Sequence, residues 1–154
     1  VNDDVRFMME ALREARKAAE AGEVPVGAVV VHDGRVIGRG HNRVEALRDA
    51  TAHAEILAIG AASEAMGSWR LSGTTLYCTL EPCPMCAGAL LSARVSRLVF
   101  GARDPKFGAV RSLTRLLDEE RFNHHVAVAE GVAADESLDL LRRFFRMKRE
   151  RGAD

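Results

Sequence analysis

The sequence predicts an α/β protein, a three-layer α/β/α sandwich around a mixed sheet of about five strands. Two observations carry this. An amphipathic helical pattern is followed by two β-rich runs around Asp33-Gly34, which read as an antiparallel hairpin. After the hairpin, apolar runs of strand length alternate with segments of helix length, and a strand–helix–strand unit within one sheet is parallel and right-handed.

Residues 3–21 form the first expected helix, because Val5, Met8, Met9, Leu12, Ala15 and Ala19 recur at helical spacing and Gly22 offers a stop. VPVGAVVV (24–31) and RVIGRG (35–40) are the hairpin strands. HNRVEALRDA (41–50) is a polar loop. Thr51 to about Met66 reads as a second helix, with Thr51 as a possible N-cap. TTLYCTL (74–80) is a buried strand, and EPCPMCAGALLSA (81–93) begins with prolines and ends helical. VSRLVFGA (95–102) is the next strand and RDPKFGAVRS (103–112) a Gly/Pro loop. A short helix over Leu113 to about Glu120, a last strand at 125–131 and a C-terminal helix at 133–149 complete the chain.

At 154 residues the chain is expected to be one domain, 1–154. Its 47% hydrophobic and 29% charged residues describe an ordinary soluble protein, and a formal net charge of zero gives no global argument for nucleic-acid or membrane binding. No apolar run approaches the roughly 20 residues of a membrane span. The first ten residues carry acids and lack a signal-peptide pattern. Cys78, Cys83 and Cys86 are odd in number and close together, a poor disulfide framework, so a reducing cytoplasm is expected.

Cys83 and Cys86 form a C-x-x-C at the start of a helix, where i and i+3 share a face and two thiolates can converge on one ion. Alone, the pair could equally be two small buried hydrophobes. His53 in TAHAE (51–55) supplies a third donor, and Cys₂His plus one water is a catalytic zinc set with an open position. Alone, His53 would read as a cap or surface residue. Glu55 stands two residues after His53, off its helical face, so it is badly placed as a second ligand. A carboxylate beside activated water can instead shuttle protons, although a first-turn acid also suits a helix N-terminus. Strand carboxyl ends are where such sheets place their sites, so both stretches could face one crevice.

Together the pattern is H-A-E … P-C-x-x-C, the signature of zinc-dependent nucleobase deaminases. EVPVGAV (23–29), GHNR (40–43), DATAHAEI (49–56), LEPCPMCAGA (80–89), VFGARDPKFGA (99–109) and FFRMKR (144–149) carry a closer resemblance. The sequence resembles the bacterial tRNA-specific adenosine deaminases in register from about Glu10 to Arg149. That resemblance implies a cytidine deaminase-like fold and hydrolytic conversion of adenosine to inosine at the wobble position of an arginine tRNA. It implies one Zn²⁺ per chain on His53, Cys83 and Cys86, with Glu55 as general acid/base. Asn42 matches an asparagine that hydrogen-bonds the flipped base. Pro25, Val26 and Ala54 resemble pocket-lining positions. Asp104, Lys106 and Phe145 resemble positions that hold nucleotides flanking the target. A homodimer is implied, the partner chain helping to bind RNA.

Ala50 stands where many relatives carry proline, implying a less rigid lead-in to the catalytic helix. Phe107 and Val110-Arg111 replace commoner small residues on the RNA side. The end RRFFRMKRER (142–151) of the C-terminal basic helix (about 133–151) gathers six basic residues against Glu150, with Phe144 and Phe145 interleaved. It could hold phosphates and stack an unpaired base, or be a solvated helix end. Two rivals remain at this level: a zinc deaminase of a free base or nucleoside (guanine, cytosine or cytidine), and a zinc-stabilised binding module.

Overall fold

The computed structural model describes residues 3–152, so both ends of the expected 1–154 unit lie outside the described residues. Five strands form one mixed sheet in the order β2-β1-β3-β4-β5, comprising β1 (Gly27–His32), β2 (Arg35–His41), β3 (Thr74–Leu80), β4 (Arg97–Ala102) and β5 (Ala127–Ala129). β1 is antiparallel to β2 and β3, whereas β3–β4 and β4–β5 are parallel. The hairpin turn places Asp33 at φ 49° and Gly34 at φ 76°, the two positive angles that suit a tight right-twisted turn.

The central strands read as continuous apolar runs because both faces are covered. Ala28, Val30, Leu76, Cys78, Leu98 and Phe100 belong to one core cluster, shared with α3 (Ala54–Met66) and α4 (Pro84–Ser92). Val29, Val31, Tyr77 and Val99 alternate with them and belong to the other cluster, with Phe7, Met8 and Ala11 of α1 (Asp3–Glu20). α5 (Ala134–Gly152) contacts α1, β3 and β4 on that second side. The result is the three-layer α/β/α arrangement with a five-stranded mixed sheet that the alternation of elements predicts.

α3 sits unusually close to the sheet. A Cβ on Gly38 would stand 2.4 Å from the Ala58 carbonyl oxygen, and one on Gly40 2.4 Å from that of Ala54. Ala54, Ala58 and Ala62, four residues apart, form the small ridge that fits against these glycines. This contact sets the depth of the helix N-terminus, where His53 and Glu55 lie.

Several boundaries differ from expectation, each for a local reason. The first strand begins at Gly27 rather than Val24, because Pro25 has no N–H for a ladder and Val26 N–H bonds the Val24 carbonyl (2.8 Å). The polar loop contains a short helix, α2 (Val44–Leu47). α3 starts at Ala54, not Thr51: Asp49 Oδ1 accepts from both Thr51 N (2.8 Å) and Thr51 Oγ1 (2.7 Å), and His53 becomes the N-cap. The same two bonds brace the lead-in at Ala50. The expected helix at 113–120 is only a 3₁₀ turn, Leu116–Asp118, and the last strand keeps the three residues that pair with β4.

Asp4 ties α1 to the sheet. It accepts a forked pair of hydrogen bonds from Arg97 (2.8 and 2.8 Å) and one from Tyr77 Oη (2.8 Å). The Arg97 guanidinium holds the Asp4 carboxyl below its ordinary value of 3.8. A carboxyl lowered on folding contributes stability above its unfolded value and loses it as pH falls through the folded one. Asp4→Asn is expected to cost about 1 kcal/mol at pH 7, a value discounted for partial solvent screening. Urea melts should show the gap between Asp4→Asn and the parent closing below pH 3.8. A constant gap down to pH 2 would assign the effect to packing.

Candidate active site

Two helix N-termini converge beyond the carboxyl end of β3. His53 is the N-cap of α3 and Cys83 the N-cap of α4, with Pro84 opening the helix. Neither side chain caps its own helix, so both are free to point at a common centre. Cys86 lies one turn into α4. Cys83 Sγ is 3.6 Å and Cys86 Sγ 3.5 Å from His53 Nδ1, and the three donor atoms lie within 4.8 Å of one another. Zinc bonds of about 2.3 Å to sulfur and 2.0–2.1 Å to nitrogen give a tetrahedral N···S edge of about 3.6 Å. The donor set and its spacing therefore fit zinc with one coordination position left over.

Mutual hydrogen bonding and burial set the protonation of the three donors apart. Hydrogen bonding from Cys86, then from His53, brings the Cys83 thiol down to about 4, against the cost of burial. Cys86 is pushed up because it donates to Cys83 and is buried. The Cys83 thiolate raises His53. The positive ends of both helices also favour anionic sulfur. Glu55 is in the first turn of α3, 4% exposed, and burial pushes its carboxyl up.

A cavity of about 320 Å³ opens onto this centre. His53, Ala54, Glu55 and Cys83 line its floor; Val26, Asn42 and Asp104 also line it, as do Val24, Phe107, Phe144 and Lys148. Pro25 is buried and Val24 takes the lining position beside it. Lys106 and Phe145 line a neighbouring depression with Leu138, Leu141, Arg142 and Arg149; Lys148 borders both. Asn42 is held by its own N–H on the Val26 carbonyl (3.1 Å) and by Nδ2 on the Val24 carbonyl (3.4 Å). That second bond turns Oδ1 the other way, where it is buried without a hydrogen-bond partner among the described residues. A buried acceptor left unpaired is costly, and a ligand donor would satisfy it.

Two buried acids that the motif reading did not single out build the cavity walls. Glu23 accepts from the backbone N–H of Glu45 (3.1 Å) and Ala46 (2.8 Å), anchoring α2 next to Asn42. Glu81, two residues before Cys83, accepts from the N–H of Asp104 (3.0 Å), Val110 (3.0 Å), Arg111 (2.7 Å) and Ser112 (3.0 Å), and from the Ser112 hydroxyl (2.5 Å). These bonds outweigh burial and hold its carboxyl below the usual value. Val110 fills the core, and Arg111 pairs with Asp118 (3.4 Å) and Glu130 (3.6 Å), which gives both departures a structural place.

Comparisons with known proteins agree with this geometry. A family model described as MafB19-like deaminase matches residues 2–149. The tRNA-specific adenosine deaminase of Bacillus subtilis (strain 168) is 52% identical over 151 residues, covering 98% of this chain and 94% of that protein. A solved structure from a study of A-to-I editing by tRNA:A34 deaminases at the wobble position superposes with a TM-score of 0.85 at 53% identity, covering 88% of this chain and 99% of that one. A guanine deaminase from Nitrosomonas europaea shares the fold at TM-score 0.79 but only 29% identity, covering 91% of this chain and 83% of that one. Matched over nearly its whole length, and at this identity, the chain belongs to the family of the tRNA-specific adenosine deaminases.

Proposed function

We propose that this protein hydrolyses adenosine to inosine and ammonia at the wobble position of a tRNA anticodon, that of an arginine tRNA, with one Zn²⁺ per chain held by His53, Cys83 and Cys86. The observation that carries the reading is the convergence of these three donors beside buried Glu55, in a cavity that also presents the unpaired Asn42 amide oxygen. The relatives' identity supports adenosine in tRNA over a free base.

Zinc bound there supplies Lewis-acid activation of water at neutral pH. Glu55 takes the proton released as water adds to C6 of the base, then delivers protons to the ring nitrogen and to the departing amine. Asn42 Oδ1 accepts a hydrogen bond from the bound nucleoside and fixes its orientation. Val26 and Ala54 flank the base and exclude water. An unpaired anticodon base enters such a cavity more cheaply than one in a duplex. Basic side chains of α5, Arg142 and Arg149 among them, lie beside Lys106 and Phe145, where phosphates and flanking nucleotides would run. A cytoplasmic site goes with this substrate and keeps the thiols reduced. Among the described residues no helix is long and apolar enough to cross a membrane.

A homodimer is part of the reading. Ile56 and Gly60 of α3, with Met85, Gly88 and Ala89 of α4, are not fully buried and carry no charge. A second copy would bury this face.

The test is an anticodon stem-loop RNA with adenosine at the wobble position, incubated with zinc-loaded protein and scored for inosine. Conversion that weakens steeply as salt rises is expected, because phosphate contacts release counterions. Turnover of free guanine or cytidine with no conversion of the RNA would replace this reading with that of a free-base deaminase.

A further inference from the structure

Phe107 is the least protected large apolar side chain in the cavity lining, 54% exposed at the tip of the 103–112 loop. The loop under it is not slack. Glu81 pins both its limbs, accepting from Asp104 on one side and from Val110, Arg111 and Ser112 on the other. Asp104 Oδ1 accepts from the N–H of Lys106 (3.1 Å) and Phe107 (3.3 Å), closing the turn. Gly108 lies so tightly on Glu81 that a Cβ there would meet its carboxyl carbon at 2.3 Å. A large aromatic displayed on so fixed a backbone is preorganised for contact and loses little freedom on binding.

Its surroundings say what it would contact. Phe107 lines the same cavity as His53 and Cys83 of the donor centre and as Phe144 and Lys148 of α5. An aromatic face beside a cation is the arrangement that stacks an unpaired base while a phosphate is neutralised. A cavity of about 320 Å³ is at the small end of ligand sites, so a base neighbouring the one inside must rest at the rim.

We propose that Phe107 is a stacking surface for the unpaired nucleobase adjacent to the target adenosine, presented at the cavity rim by the loop that Glu81 pins. The inference rests on the RNA substrate proposed above, and goes beyond it by naming a contact for a residue that the family resemblance leaves without a role.

The experiment uses zinc-loaded protein and stem-loop RNAs carrying 2-aminopurine on either side of the wobble adenosine. Stacking on Phe107 quenches the probe at one of the two positions. Phe107→Ala should abolish that quenching and raise KM about tenfold or more, with kcat changed less than about twofold. Phe107→Leu, which keeps apolar bulk but not the π face, should behave like the alanine variant, and Phe107→Trp should restore both readouts. Thermal midpoint and zinc content should match the parent protein, since the side chain is mostly exposed. Quenching and KM unchanged in Phe107→Ala would overturn the proposal. Quenching by the parent protein that is lost in Phe107→Ala, without deamination of the RNA, would uphold the stacking contact and overturn the wobble-editing reading instead.

Discussion

Glu55→Ala is expected to leave zinc content and fold unchanged and to lower turnover of the stem-loop by about 10³-fold, within the 10²–10⁴ that positioned acid–base groups contribute. The reasoning starts from position. Glu55 is the first-turn acid of α3, two residues beyond His53, and the ridge of alanines on Gly38 and Gly40 fixes that turn against the sheet. Its side chain is 4% exposed, so solvent water cannot readily substitute for it as a proton carrier. It is also not one of the three clustered donors, so its removal should not release the ion. Glu55→Gln keeps size and hydrogen bonding but cannot accept the proton, and should be as inactive as the alanine variant. Substrate affinity should change little, so the loss appears in kcat in single-turnover experiments at saturating enzyme. Wild-type turnover in Glu55→Ala, with about one zinc per chain, would remove Glu55 from the proton path.

Much of the frame was legible because it depends on local pattern. The Asp33-Gly34 turn, the apolar strands around Leu76 and Leu98, and the alternation with helices are short-range signals, and together they specify the mixed three-layer architecture. The convergence of His53, Cys83 and Cys86 was also legible, because C-x-x-C at a helix start and a histidine at another place three donors at strand carboxyl ends. What sequence could not show are bonds between distant residues. Glu23 reaches 22 residues ahead to Glu45, and Glu81 reaches 31 to Ser112; a glutamate beside a proline motif carries no periodic signal of either partner. The start of α3 departs from the Thr51 expectation for a similar reason. Thr51 has the chemistry of an N-cap, but Asp49 claims its hydroxyl first and leaves His53 to begin the helix. That shift matters to function: an N-cap residue with an uncommitted side chain can face a ligand, whereas one inside the helix would have shared the turn with Glu55.

Cys83→Ala is expected to abolish zinc binding, from about one ion per chain to near zero after dialysis, and with it all deamination. Two donors, His53 and Cys86, would remain, and a catalytic zinc site needs three protein ligands. Cys83 is also the N-cap of α4, where the positive end of the helix favours an anionic sulfur. Because the three donors converge only in the folded chain, zinc binding is linked to folding. Ion held at 100 times its dissociation constant stabilises by about 2.7 kcal/mol, so a chelator should lower the melting temperature of the parent protein by roughly 5–10 °C. The same chelator should leave the midpoint of Cys83→Ala unmoved. Cys78→Ser is the matched comparison. Cys78 is fully buried within β3, level with Ala28 and Phe100 on the neighbouring strands, and it is not among the clustered donors. Its zinc content should equal that of the parent protein, measured by atomic absorption on the purified chain. A fall in Cys78→Ser, or retention of zinc in Cys83→Ala, would mean that the ion is held by a different set of thiols.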